Sequence, residues 1–161
     1  MDDNGAGDGI SLQQGILIAP NTLQKYSLFG GLSSEQLESM LPYMESKIFQ
    51  SGEVIMSEGV YNDRVYFILE GRVEVRKNNV ALAELREGDT FGEMELIEII
   101  PTVATIRALD KVATLSLSNK KLHEIYKSDI STFAMVIMNL ARELSRRLKR
   151  MDAMAAGGNA E

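Results

Sequence analysis

The chain has 161 residues, a formal net charge of −6, a single histidine and no cysteine. That length suits one domain with an ordinary buried core, and 45% hydrophobic with 25% charged residues is the composition of a globular protein. The missing cysteines exclude disulfides, thiolate nucleophiles and zinc–thiolate sites, and His123 alone excludes a multi-histidine metal centre. The negative balance argues against nucleic acid as partner of the whole domain, because phosphate contacts need clustered positive charge.

Residues 1–15 show no periodicity and read as a flexible tail. Met1 to Gly9 is acidic, with neither the basic nor the apolar region of a signal peptide. No run is long and apolar enough to span a membrane, so a cytoplasmic protein is expected. The domain proper is placed at 16–154. Ile16 to Ala19 is short and apolar, suited to docking on this fold or on a partner chain. Ser33 with Gln36 is a capping-box pair, and Leu37, Met40 and Leu41 follow at helical spacing up to Pro42.

From Ser46 to Ser118 the pattern changes to short runs separated by turn residues. Val54 and Met56, then Val65, Phe67 and Leu69, follow the period of two that marks strands. Asn78-Asn79, between Val73–Val75 and Val80–Leu82, predicts a tight hairpin whose residues tolerate positive φ. Leu115 and Leu117 close the β region. Asn119 is placed at the cap of a helix to about Lys127, and a second helix spans 130–154, with Ser131 near Asp129 as a capping candidate. Residues 155–161 read as a flexible tail.

Phe91-Gly92-Glu93 followed by Met94 to Ile100, then Pro101, predicts a strand end, a glycine approach and a short helix. A helix start of this kind presents free N–H groups suited to an anion. This stretch resembles the phosphate-binding cassette of cyclic-nucleotide-binding domains, F-G-E-L-A-L followed by P-R-A-A-T. Leu28-Phe29 with Gly31-Leu32-Ser33, Gly52 to Gly59, Tyr66 to Val75 and Gly88 to Glu93 match the rest of that family's pattern in order, over Tyr26 to Asp152. The resemblance implies a mainly β fold, a double-stranded β-helix or jelly-roll barrel of eight strands with flanking α-helices. It also implies a ligand site at Gly92, Glu93, Met94, Glu95, Thr102 and Val103. In the family the glutamate takes the ribose hydroxyl and the arginine after proline pairs with the cyclic phosphate.

Here Glu93 keeps the glutamate, Thr102 stands in the arginine position and Glu95 replaces a small residue. Losing a bidentate arginine removes about 2–5 kcal/mol. A carboxylate about 4 Å from a phosphate adds roughly 4 kcal/mol of repulsion at an effective dielectric near 20. Glu95 reads either as an exposed first-turn acid, or as a carboxylate that repels phosphate or takes its place. Arg107, Arg64, Arg72 and Arg86 are the candidate substitutes for the lost charge. Binding of cyclic AMP or cyclic GMP is expected to be weak at most.

The acids at 93 and 95, two apart, face different directions and lack any accompanying catalytic group, so no enzyme activity is expected. His123 reads as an ordinary helix residue. Phe133, Ile137, Leu140 and Leu144 form a stripe of three-four spacing, expected to be the seam of a homodimer or else a face covering this chain's own barrel. Arg142, Arg146, Arg147, Lys149 and Arg150 form a basic cluster that reads as a solvated face rather than a nucleic-acid contact, with Glu143 able to pair with Arg147 at i+4. The expected function is a stand-alone, non-enzymatic regulatory module with a degenerate cassette, acting through dimerisation or contact with another protein. The alternatives are a working cyclic-nucleotide sensor, and a regulator's effector domain without its DNA-binding half.

Overall fold

The computed structural model describes residues 10–11 and 16–157. Two four-stranded antiparallel sheets form its centre. One has the order β3 (Glu45–Phe49), β10 (Val112–Ser118), β5 (Arg64–Glu70), β8 (Thr90–Phe91). The other has the order β4 (Val54–Met56), β9 (Thr105–Ala108), β6 (Arg72–Lys77), β7 (Val80–Arg86). This is the predicted eight-stranded jelly-roll arrangement with flanking helices, as an open sandwich rather than a closed barrel.

Strand β5 shows how the sequence builds three layers. Its even residues Tyr66 and Ile68 point between the sheets, packing with Phe49, Met56, Val73, Phe91, Ile106 and Val112. Its odd residues Val65, Phe67 and Leu69 point the other way, onto a cluster of helical side chains including Leu23, Phe29, Leu37, Met40, Ile125 and Leu140. A period of two with both faces buried places β5 inside the molecule. The helical layer comprises α1 (Pro20–Leu23), α2 (Ser34–Met40), α4 (Asn119–Ser128) and α5 (Ile130–Gly157).

Several local expectations are met. Ser33 and Gln36 form a reciprocal capping box on α2. Asn78 and Asn79 adopt φ of 50° and 64° in the β6–β7 turn. Other details differ. Ser118, not Asn119, caps α4, through a hydrogen bond from the Lys121 N–H. Asp129, not Ser131, accepts the Thr132 N–H at the start of α5, since its carboxylate reaches N3 with a stronger acceptor. Within the predicted tail, Ile10–Ser11 pairs as β1 with β2 (Leu17–Ile18); the rest of 1–15 lies outside the described residues. Ile18 is buried in the domain's own core, so this segment docks in cis. Helix α5 continues to Gly157, past the expected end at 154, while 158–161 are outside the described residues.

Asn139 fixes the position of α5. It is buried, and its amide donates to the carbonyls of Leu28 and Gly30, 2.8 Å each. Removing the partner of one buried and one partly buried acceptor costs their desolvation, so Asn139→Ala is expected to lower stability by about 2 kcal/mol. Urea denaturation of the two proteins measures this; a difference within error of zero refutes the anchoring role.

Candidate functional site

Helix α3 (Glu93–Glu98) is where the sequence places a ligand site. Gly92, its N-cap, has φ of 81°, and a Cβ there would lie 2.5 Å from the Arg64 carbonyl oxygen. Only glycine lets the chain pass from β8 into α3 so close to β5. Ile99 ends the helix at φ of 55°, and Pro101 then bridges to Tyr61. The Thr102 N–H donates to the Val60 carbonyl and its own carbonyl accepts from the Gly59 N–H, at 2.9 and 2.7 Å. The loop after α3 is thereby pinned to the β4–β5 connection.

The structure brings Gly92, Glu93, Glu95, Thr102 and Val103 together in this cassette, while the Met94 side chain is exposed and contributes only backbone. The two acids do face different ways. Glu95 turns toward the following loop, where its Oε1 accepts the Val103 N–H at 3.2 Å. It is 5% exposed, which overturns the exposed first-turn reading. The carboxylate goes inward because the Val103 donor would otherwise lack a partner on that side. Thr102 is 3% exposed, and its hydroxyl has no hydrogen-bond partner.

Glu93 turns toward α5. It is 2% exposed, and its Oε1 lies 2.5 Å from Nη1 of Arg147. The other terminal nitrogen of Arg147 donates to the Thr90 carbonyl and to the Thr90 hydroxyl. Oε2 of Glu93 is buried without a partner. Behind this pair lies Glu143, also buried, with Arg146 at 2.6 Å, Arg150 at 3.7 Å and the Nε of Arg147 at 3.8 Å. Burial pushes the Glu93 carboxyl above the ordinary glutamate value, against the opposing pull of Arg147; the charges of Glu95 and Glu143 push it further up.

None of the four arginines considered as substitutes is in the cassette. Arg64 pairs with Glu45 and Asp63, Arg72 with Glu84 and Asp110, and Arg86 and Arg107 are exposed. Arg147, read from the sequence as part of a solvated basic face, is instead turned inward onto Glu93. Its signal was present: it stands seven residues after Leu140 and four after Glu143, in line with the buried side of α5. A charge on that line requires a buried partner.

That buried side also relocates the helix stripe. Leu140 is 1% exposed, and Phe133 and Ile137 pack against the same core, so the early stripe covers its own domain. Phe133, Ile137 and Leu140 are therefore not available as a seam between chains. His123 is exposed and stacks on Tyr126. Among the described residues no group of acids and histidine is placed to hold a metal, and no helix is long and apolar enough to cross a membrane.

Residues 46–129 match the cyclic nucleotide-binding domain family model. The cyclic AMP receptor protein of Thermus thermophilus is 29% identical over 78% of this chain and 58% of its own length. A crystal structure of a cyclic nucleotide-binding domain from Methylobacillus flagellatus superposes with a TM-score of 0.78 at 23% identity, covering 88% of this chain and 82% of that one. The regulatory subunit of a cAMP-independent protein kinase A from Trypanosoma brucei gives 0.65 at 25% identity, over 76% and 44%. The chain thus spans little more than half of the receptor protein and less than half of the kinase subunit. It belongs to the cyclic nucleotide-binding domain family and is a regulatory module of that type.

Removing Arg147 leaves a buried carboxylate unpaired. Arg147→Ala is expected to lose about 3 kcal/mol near neutral pH, the lower end for breaking a buried pair, since Arg147 is partly exposed. The loss should shrink on acidification. Without its arginine the Glu93 carboxyl rises further above its unfolded value. Protonation then stabilises the folded form, an advantage lost as pH climbs through that raised value. Urea midpoints of wild type and variant at pH 5 and pH 7.5 test this; a pH-independent difference refutes it.

Proposed function

We propose that this domain is a non-enzymatic, cytoplasmic regulatory module whose cassette does not take cyclic AMP or cyclic GMP at micromolar concentration, and which works through dimerisation or contact with another protein. The observation that carries this reading is the Glu95–Val103 hydrogen bond. A backbone donor of the kind that meets a phosphate is taken by an internal carboxylate, with a neutral, buried Thr102 beside it in the family's arginine position. An incoming phosphate would have to displace one anion and gain no cation.

The second reading, a working nucleotide sensor, is favoured by Glu93 standing in the first turn of α3, where the family's ribose-binding glutamate belongs. Calorimetry with both cyclic nucleotides separates the two. No isotherm is expected; a dissociation constant below about 10 μM, roughly −7 kcal/mol, overturns the proposal. In the variant carrying Thr102→Arg with Glu95→Ala, binding should appear, and more strongly than in either single change. A double variant that stays silent places the block elsewhere in the pocket.

For the dimer, the side of α5 turned away from the core supplies the seam. Ala141, Leu144, Leu148, Met151 and Ala155 alternate steps of three and four, with Leu148 59% and Met151 65% exposed. Strict three-four spacing over four steps suits a left-handed helix pair. Leu144 is kept from the sequence reading, while Phe133, Ile137 and Leu140 give way to residues that α5 leaves free. Sedimentation at about 100 μM, enough to populate even a weak specific dimer, is expected to show two chains, and Leu148→Glu with Met151→Glu one. Both positions are exposed, so the variant should fold. A wild type that sediments as a monomer removes the dimer.

A further inference from the structure

The cassette contains a second polar site, facing away from Glu95 and Thr102, whose chemistry is opposite to that of a phosphate site. Three acceptors from the β8–α3 segment meet one guanidinium. They are Oε1 of Glu93 at 2.5 Å from Nη1, and the carbonyl and hydroxyl of Thr90 on Nη2, the hydroxyl at 3.2 Å. Thr90 is 1% exposed, so both acceptor residues are built into the interior rather than lying on the surface. Glu93 also holds a buried Oε2 with no partner, and the buried Glu143 carboxylate stands 3.8 Å from Nε.

We propose that this pocket, formed by Thr90 and Glu93 and closed by α5, is a guanidinium-binding site, with Arg147 of the same chain as its resident ligand. The inner cassette takes a planar cation where the resemblance implies a ribose hydroxyl. The shape of the acceptor set favours guanidinium over ammonium. The Glu93 carboxylate and the Thr90 carbonyl are met by two separate nitrogens of one planar fork, whereas an ammonium must reach both from a single nitrogen. Because the ligand is carried by α5, occupancy of the site adds to the docking that Asn139 and Leu140 give that helix. The site stands on Thr90 and Glu93, not on Glu95 and Thr102. Its failure would leave the nucleotide reading untouched, and nucleotide binding would leave this site to be judged separately.

Chemical rescue tests it. Full-length Arg147→Ala is titrated with methylguanidinium, with methylammonium as the control for ionic effects, while hydrogen exchange of α5 amides is followed. For a dissociation constant near 10 mM, about 20 mM methylguanidinium should slow exchange about threefold, saturably. Wild type, the Arg147→Ala/Glu93→Gln double variant and the methylammonium series should show no such gain. An equal response to methylammonium, a gain in the double variant, or no gain at all overturns the proposal. Should Arg147→Ala fail to fold, nitrogen NMR of the wild type decides. A guanidinium held by fixed acceptors should show its two Nη resonances resolved by slow rotation, and these should merge in Glu93→Gln. Averaged resonances in the wild type overturn it.

Discussion

A buried carboxylate needs a partner, and the placement of α5 depends on how that need is met at Glu93. The residue sits behind Gly92, in a turn that only glycine can make, so its carboxylate is carried into the interior by backbone geometry. Once there it must be neutralised by a proton or matched by a cation. Arg147 is the cation, and it comes from a helix 54 residues away. The pair adds little net stability, because both charges lose water when they meet. What it adds is specificity: α5 has one rotation at which Arg147, Asn139 and Leu140 all point inward.

Three buried glutamates are satisfied in three ways, and the differences set their roles. Glu95 takes a backbone N–H from a loop tied down at Thr102, so it holds the cassette's own conformation. Glu93 takes a guanidinium from a separate element and joins the cassette to α5. Glu143 collects Arg146, Arg147 and Arg150 from its own helix, concentrating positive charge where α5 crosses the cassette. The Arg146 and Arg150 contacts are solvated and weak. Their use is to give the buried Glu143 carboxylate cationic partners beside Glu93.

Most of the sheet structure was legible in the sequence because its signals are local. Alternation in β5, the Asn78-Asn79 turn and the Ser33–Gln36 capping box each state a geometry within a few residues. The cassette's position was legible for the same reason, through the Phe91-Gly92-Glu93 run and Pro101. The orientation of α5 was not. Its apolar residues cover two adjoining faces, one through Val136 and Leu140 and another through Ala141 and Leu148, and three-four spacing fits either. Asn139, Glu143 and Arg147, polar residues on the first face, distinguish them. Their meaning depends on the carbonyls of Leu28 and Gly30 and on Glu93, all distant in sequence. The inward turn of Glu95 was likewise hidden, since it needs the Val103 donor to be placed first.

The two faces of α5 make one rigid element answerable to two events. The inward side carries Asn139, Leu140, Glu143 and Arg147; the outer side carries Ala141, Leu144, Leu148 and Met151. These lines lie roughly a quarter-turn apart, given about 100° per residue. Pairing two chains through the outer line therefore does not require the inner line to let go. A partner that also prefers a particular tilt of α5 would, however, load the Arg147–Glu93 contact directly. Coupling of this kind is limited to the difference in free energy between the docked and released helix, and it acts equally in both directions. A contact with modest net stability suits that role better than a strong one. If the buried pair were worth many kcal/mol, no interaction at the end of α5 could shift it; because desolvation cancels most of its attraction, a partner contact of ordinary strength can.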